Sequence, residues 1–184
     1  RIGGLLGYSS YGVGSYVSDS YATGDVISTG ANGGGGLVGE SGAAPIRNCF
    51  ATGNVKLTNY DAGGGLIGKG DNARVSYASG KVTVKNGDDI GGLIGYISIS
   101  NTQTTDCYYN KETTGCANGL GGGNFADTPG YIEGVSSARI EELIKDGTLP
   151  SYFEAKKFQS QLEKTNVIKY KALIQIQNRR LNSI

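Results

Sequence analysis

The chain has 184 residues, enough for one domain with a smaller appendage, and its 17 basic against 16 acidic side chains leave a formal net charge of +1. That balance creates no long-range field to recruit nucleic acid or an anionic membrane, and no run of eighteen apolar residues is present to span a bilayer. The absence of histidine excludes a Ser-His-Asp or Cys-His arrangement within the chain and removes the commonest metal ligand, while 32 glycines and 12 tyrosines without methionine or tryptophan describe a β-rich composition.

In chain order, a repeat is under way by residue 3. Gly3-Gly4-Leu5-Leu6-Gly7 returns as Gly35-Gly36-Leu37-Val38-Gly39, Gly64-Gly65-Leu66-Ile67-Gly68 and Gly91-Gly92-Leu93-Ile94-Gly95, at intervals of 27 to 32 residues. A second block follows each copy: Ser20-Tyr21-Ala22-Thr23-Gly24-Asp25-Val26, Cys49-Phe50-Ala51-Thr52-Gly53-Asn54-Val55 and Ser76-Tyr77-Ala78-Ser79-Gly80-Lys81-Val82. A fourth begins at Cys107-Tyr108 and loses the pattern at Tyr109. Two short apolar blocks per period cannot close a core alone, so each unit must bury its face against its neighbours. The expectation is a mainly β fold: a short β-solenoid of about four coils over residues 1–128. Leu5, Leu37, Leu66 and Leu93 should form an aliphatic column, and Tyr21, Phe50, Tyr77 and Tyr108 an aromatic one. The invariant glycines imply either positive φ or close approach at a corner.

Gly-Gly-Leu-Val-Gly followed by Ile46-Arg47-Asn48-Cys49-Phe50-Ala51-Thr52-Gly53-Asn54-Val55 resembles the GLUG motif, over roughly residues 3–115. That repeat belongs to large secreted and surface proteins of bacteria, including adhesins and the non-catalytic part of immunoglobulin A proteases. The resemblance implies a surface-exposed, extracellular solenoid, and it brings no catalytic residue and no cofactor to this chain. On this reading the chain is a non-enzymatic structural or adhesive module, and a piece of something longer, with any export signal and anchor outside it. Its partner would be a host or neighbouring-cell glycan or protein. The alternative is an accessory region of a secreted protease or polysaccharide-degrading enzyme whose catalytic domain lies elsewhere.

Between the blocks, 9–18, 40–47, 69–74 and 96–106 are polar and differ in every copy. Gly63 to Gly70 falls one residue short of a P-loop, since Gly70 stands where a Ser or Thr hydroxyl should reach magnesium. Tyr8, Glu40 and Tyr96 hold the position of Lys69 in the other copies, so the repeat accounts for the glycines and the lysine is a loop residue. Asp88 and Asp89 form either a solvated turn or a calcium candidate. Tyr8, Tyr11, Tyr16 and Tyr96, with Tyr109 and Tyr131, stand outside the aromatic column; the first four are candidates for stacking on sugar rings or anchoring a protein, and otherwise cover loops. Three cysteines fit no zinc pattern. Cys107 and Cys116 either close a ten-residue disulfide loop or are small buried thiols.

From Pro129 glycine becomes sparse and charge frequent, and residues 129–184 are expected to form a helical cap or linker. Ser136 to Gly147 has a serine cap, apolar Ile140, Leu143 and Ile144, and a terminal glycine, which predicts a short helix. Ser151 with Glu154 offers a capping box for a second helix carrying Phe153, Phe158 and Leu162. Residues 167–176 fit both strand and helix periods, with helix preferred. The basic run Lys164, Lys169, Lys171, Arg179 and Arg180 reads as a solvated helix face.

Overall fold

The computed structural model describes residues 1–9, 15–30, 32–42, 44–59, 61–97, 104–123 and 132–151. The chain divides into two compact units, Arg1–Pro150 and Ser151–Ile184. Apart from Ser151 the second unit lies outside the described residues, and with it the expected second helix, the segment 167–176 and the basic run.

The first unit coils as the repeat requires. Coil 1 contains β1 (Ile2–Gly3), β2 (Leu6–Ser9), β3 (Val17–Ser18), β4 (Tyr21–Ala22) and β5 (Val26–Thr29). Coil 2 contains β6 (Gly33–Gly35), β7 (Val38–Ser41), β8 (Ile46–Arg47), β9 (Phe50–Ala51) and β10 (Val55–Thr58). Coil 3 contains β11 (Ala62–Gly64), β12 (Ile67–Lys69), β13 (Ala73–Ala78) and β14 (Val82–Lys85). Coil 4 has β15 (Asp89–Gly91), β16 (Ile94–Ile97) and β17 (Thr105–Asn110), and β18 (Leu120–Gly123) and β19 (Ile132–Val135) extend two of its sheets before α1 (Ser137–Lys145). Equivalent strands pair in parallel across coils and build four sheets: sheet A from β1, β6, β11 and β15; sheet B from β2, β7, β12, β16 and β18; sheet C from β3, β4, β8, β9, β13, β17 and β19; sheet D from β5, β10 and β14. The observed register matches the copies as aligned in the sequence, with Gly3 beside Gly35, Gly35 beside Gly64 and Gly64 beside Gly91.

The motif glycines answer to close approach. Among the described glycines only Gly115, Gly123 and Gly147 have positive φ, so the alternative of left-handed corners falls away. Sheets A and B instead press together backbone against backbone. A Cβ on Gly64 would stand 1.9 Å from the Ile67 carbonyl oxygen and 2.7 Å from the Gly95 nitrogen. The second motif glycine faces the neighbouring coil: a Cβ on Gly36 would lie 2.1 Å from the Gly65 oxygen and 2.8 Å from the Ala51 methyl.

Leu37, Leu66 and Leu93 are fully buried, whereas Leu5 in the first coil is 48% exposed, so the aliphatic column stops one coil short of the expected four. They share an interior with Ile46, Ile67, Ile94, Cys49, Ala51 and Cys107. A second apolar cluster unites Val26, Val55, Leu57 and Val82 of sheet D with Ile2 and Ile90 of sheet A. There Leu57 fills the space a side chain on Gly34 would need, 2.4 Å from its Cδ1.

The aromatic column forms as expected but lies on the other side of sheet C. Tyr21 stacks on Phe50 at 5.0 Å between centroids and Phe50 on Tyr77 at 5.1 Å, the planes within 6° and 5° of parallel. Cys49 and Ala51, flanking Phe50, belong to the interior cluster; Phe50 and Tyr77 belong with Ile140 and Leu143 of α1, Val135 and Leu149. Strand alternation sends small residues inward and aromatics outward, where the helix packs on the aromatic cluster.

The pattern does not end at Tyr109. This residue pairs beside Ala78, in the column of Ala22 and Ala51, outside the aromatic column as expected, and it is buried within the interior cluster. Its ring occupies the space over Gly92, and its hydroxyl donates to the Ala117 carbonyl at 2.9 Å. A ring in the alanine column fills the core where the regular coils stop. Because β19 pairs with β17 and α1 packs on the aromatic cluster, residues 132–150 belong to the solenoid unit, and the boundary expected at 128–129 moves to 150–151.

The α1 helix matches its expected limits. The Ser136 hydroxyl accepts from the Arg139 N–H at 3.2 Å, and the chain leaves through Asp146 and Gly147, whose φ of 83° is left-handed.

Each coil turns within sheet C through one left-handed residue: Asp19, Asn48, Val75 and Asp106, with φ between 47° and 55°. Asp and Asn tolerate that region because their side chains bond locally, and Asn48 Nδ2 donates to Asp19 Oδ1 at 2.5 Å. Val75 is β-branched, and its φ of 47° is strained. Val75→Asn should therefore stabilise the chain by about 1 kcal/mol, seen as a higher urea midpoint; a lower midpoint would mean that packing of the Val75 methyls outweighs the strain.

Candidate functional site

The coil interior is occupied by side chains, so a functional surface has to be sought on the outside. Between sheets A and B every connection has two residues, between C and D three, and between D and A three. In coils 1 to 3 only the passage from B to C varies. From the paired Tyr8, Glu40 and Lys69 to the paired Val17, Ile46 and Ala73 the chain advances 9, 6 and 4 residues, steps that differ by three and two. The repeat intervals of 32, 29 and 27 differ by the same amounts, so all of the variation in period is placed along one edge of the solenoid.

The row beside that edge consists of Tyr8, Glu40, Lys69 and Tyr96 in register. Its charges are internally engaged. The Arg1 guanidinium pairs with Glu40 and lies 4.4 Å from the Tyr8 ring centroid, while Lys69 Nζ lies 3.5 Å from Asp61 Oδ2 and 5.7 Å from the Tyr96 centroid. Cations over ring faces are attractive in their own right. Lys69 thus faces a carboxylate and a ring, as a loop residue of the repeat.

The four aromatic candidates therefore separate. Tyr16 is 64% exposed, just ahead of β3 on the variable edge, and Tyr8 is 46% exposed with Arg1 over its ring. Tyr96 is half-buried under Lys69. Tyr11, like Tyr131, lies outside the described residues.

Asp88 is exposed and Asp89 half-buried, with Asp89 Oδ1 against the Gly122 backbone. Burial, then the Asp88 charge, raises the Asp89 pKa. Among the described residues no group of three acidic or cysteine side chains is placed to hold a metal.

Cys107 and Cys116 are free thiols rather than a disulfide. Cys107 belongs to the interior cluster and Cys116 packs on the sheet D cluster, so the two sulfurs serve different cores. What the cysteines do is visible from the column Ser20, Cys49, Ser76 and Cys107, one place after each left-handed residue. Each side chain donates to the carbonyl two residues earlier: Ser20 Oγ to Ser18 at 2.7 Å, Cys49 Sγ to Arg47 at 3.0 Å, Ser76 Oγ to Arg74 at 2.8 Å and Cys107 Sγ to Thr105 at 3.2 Å. Thiol and hydroxyl are interchangeable closers of one turn, a role whose signal was the alternation of Ser and Cys at the head of the second block.

Burial pushes the Cys49 thiol up to about 11 and the Cys107 thiol up to about 12. Both groups are neutral in the fold while the unfolded thiol ionises near its ordinary value of 9.0. Stability is thus unaffected below that value and falls above it, by roughly 1.4 kcal/mol per pH unit for each thiol, until the folded values are reached. Urea midpoints at neutral pH and near pH 10 should differ, and replacing both cysteines with serine should remove most of that difference. An undiminished alkaline loss in the double variant would rule the thiols out as its source.

Parallel strands in register, columns of like residues and one variable edge define this protein as a β-solenoid repeat module. Residues 30–56, from the end of coil 1 to β10, match the family model described as the GLUG motif. The paired registers repeat the motif's glycine and leucine positions in the coils on either side. No curated protein and no solved structure matches the chain.

Proposed function

We propose that the chain is a non-enzymatic structural and adhesive module of a bacterial cell-surface or secreted protein, which holds its variable edge out to a ligand on a host or neighbouring cell. The observation that carries this reading is the confinement of length variation in coils 1 to 3 to the passage between sheets B and C. In repeat proteins, insertions gathered on one face accompany binding there, because the stacked core is indifferent to them. The GLUG match supports the extracellular setting, since the resembling proteins are secreted or surface-borne.

Tyr16 is the favoured contact, as a largely exposed ring on that edge. Rings of this kind stack on sugars or anchor a protein partner. A glycan array probed with the chain should give discrete binders, and Tyr16→Ala should weaken them about tenfold or more, by roughly 1.4 kcal/mol or above, at unchanged melting temperature. Silence across glycans would remove the sugar-binding version, and signals indifferent to Tyr16 would move the site elsewhere.

A further inference from the structure

Strand alternation gives sheet D an open outer face. Val26, Val55, Leu57, Val82 and Val84 turn into its apolar cluster, which leaves Ile27 and Thr29 of β5, Lys56 and Thr58 of β10, and Thr83 and Lys85 of β14 on the other side, in register. All six are exposed except Thr58, which is half-buried. One place ahead of the strands the ladder continues through Asp25, Asn54 and Lys81: the Asn54 N–H donates to Asp25 Oδ1 at 2.8 Å and the Lys81 N–H to Asn54 Oδ1 at 3.0 Å. Past β14 the face runs on, because the Val82 N–H donates to the Thr114 carbonyl. There Thr114 is buried while Thr113 and Gly115 are exposed, and a Cβ on Gly115 would meet nothing within 4 Å. The connections that frame sheet D have three residues each in coils 1 to 3, so no long loop overhangs it.

Charge is distributed unevenly over this face. Lys56, Lys81 and Lys85 gather towards β14, whereas the carboxylate of the ladder, Asp25, lies at the β5 side. Among the described residues the ion pairs use Arg1, Lys69 and Arg139, so all three lysines of the face stand outside them. Lys56 is one strand across and two residues along from each of the other two, roughly 8 Å between Cα atoms. That is about one Debye length at physiological ionic strength, so the three charges act together, locally, on a chain whose net charge of +1 gives it no field at a distance.

We propose that the outer face of sheet D binds an acidic polysaccharide, a strand of uronic acid or sulfated sugars laid across β10 and β14. The three ammonium groups meet its carboxylate or sulfate oxygens, and the hydroxyls of Thr58, Thr83 and Thr113 exchange hydrogen bonds with sugar hydroxyls. The flat, unobstructed backbone admits an extended chain. Other polyanions fit the face less well. It presents no aromatic ring on which nucleic-acid bases stack. Its one exposed large apolar residue, Ile27, lies in β5, away from the lysines, which gives a membrane no amphipathic anchor and a protein no apolar centre. This site is separate from the variable edge between sheets B and C, where Tyr16 stands.

The test titrates the whole chain with alginate, dextran sulfate and neutral dextran. An anionic polymer should bind and neutral dextran should not, and the affinity should fall as salt rises; preference for alginate assigns carboxylates, and preference for dextran sulfate assigns sulfates. Lys56→Gln, Lys81→Gln and Lys85→Gln together should weaken binding about tenfold or more at unchanged melting temperature, since all three side chains are exposed. Arginine at the same three positions should retain it. Tyr16→Ala should leave it intact, which keeps this site distinguishable from the variable edge. So should Lys169→Gln, Lys171→Gln and Arg179→Gln, an equal change of charge in the second unit. Silence towards both anionic polymers would overturn the proposal, as would an equal loss from the second triple variant. Tighter binding to single-stranded DNA or to phosphatidylglycerol vesicles would give the face to another polyanion and overturn it too.

Discussion

Gly64→Ala is expected to prevent folding of the solenoid, although it adds a single methyl group. The new Cβ would stand 1.9 Å from the Ile67 oxygen and 2.7 Å from the Gly95 nitrogen, and neither atom can swing aside as a side-chain terminus would. Ile67 and Gly95 lie in sheet B strands or beside them, locked to neighbours above and below. Relief requires sheets A and B to separate, which opens the contact along its length. Overpacking a well-packed site costs about 1–3 kcal/mol when side chains can shift, and here the obstacle is backbone. Against a total stability of about 5–15 kcal/mol, the loss should appear as absent cooperative melting and strand signal in circular dichroism. Gly115→Ala is a useful contrast: no atom lies within 4 Å of its new methyl, and only the positive φ of 74° is strained. A Gly64→Ala chain that melts within a few degrees of the wild type would show that sheets A and B are not in backbone contact.

Leu66→Asp is expected to unfold the repeat with similar severity by a different cause. Leu66 has no exposure and belongs to the cluster shared by all the coils. A carboxylate there has no cation to pair with, since the neighbours are Leu37, Leu93, Ile67 and alanines of the same cluster. Burying a charge unpaired costs many kcal/mol, and even its protonated form gives up a leucine's transfer energy of about 1.5–3 kcal/mol. Leu66→Ala sets the scale at about 2–5 kcal/mol. Because each coil is stable only against its neighbours, the loss should be cooperative. The same substitution at Leu5, half exposed at the free edge, should cost far less, and that gradient separates a stack from independent units.

The repeated blocks set the register, because each coil must reproduce its neighbour and an aligned residue is a paired residue. Gly3, Gly35, Gly64 and Gly91 show this directly. Which side of a sheet a column faces is a different matter. Cys49-Phe50-Ala51 invites the large ring inward, but the interior is already filled by Leu37, Ile46 and Leu66, so the small residues turn in and the ring turns out to meet α1. Tyr109 reads as a lost pattern for the same reason: its ring fits the alanine column because glycines, Gly92 and the paired Gly134, lie against it. The left-handed turn at Val75 carries no signature in its own residue type and is legible only by alignment with Asn48 and the two aspartates. The variable edge could be read as four unlike segments, but only the constant two- and three-residue connections elsewhere show that the variation among coils 1 to 3 lies there. Tyr8 and Tyr96 were candidates by exposure, and what the sequence could not show is that Arg1 and Lys69 lie over their rings.

The claim on which everything rests is parallel stacking in register, and a disulfide across two coils tests it most directly. Lys56 and Thr83 are exposed Cα partners on adjacent strands of sheet D, at the strand spacing of about 4.8 Å that a disulfide can bridge. In a Cys116→Ser background, Lys56→Cys with Thr83→Cys should oxidise to an intramolecular bridge that preserves or raises the melting temperature. Lys56→Cys with Lys85→Cys, two residues out of register, should stay reduced under the same conditions. Equal oxidation of both pairs, or bridging only of the second, would contradict the stacked solenoid.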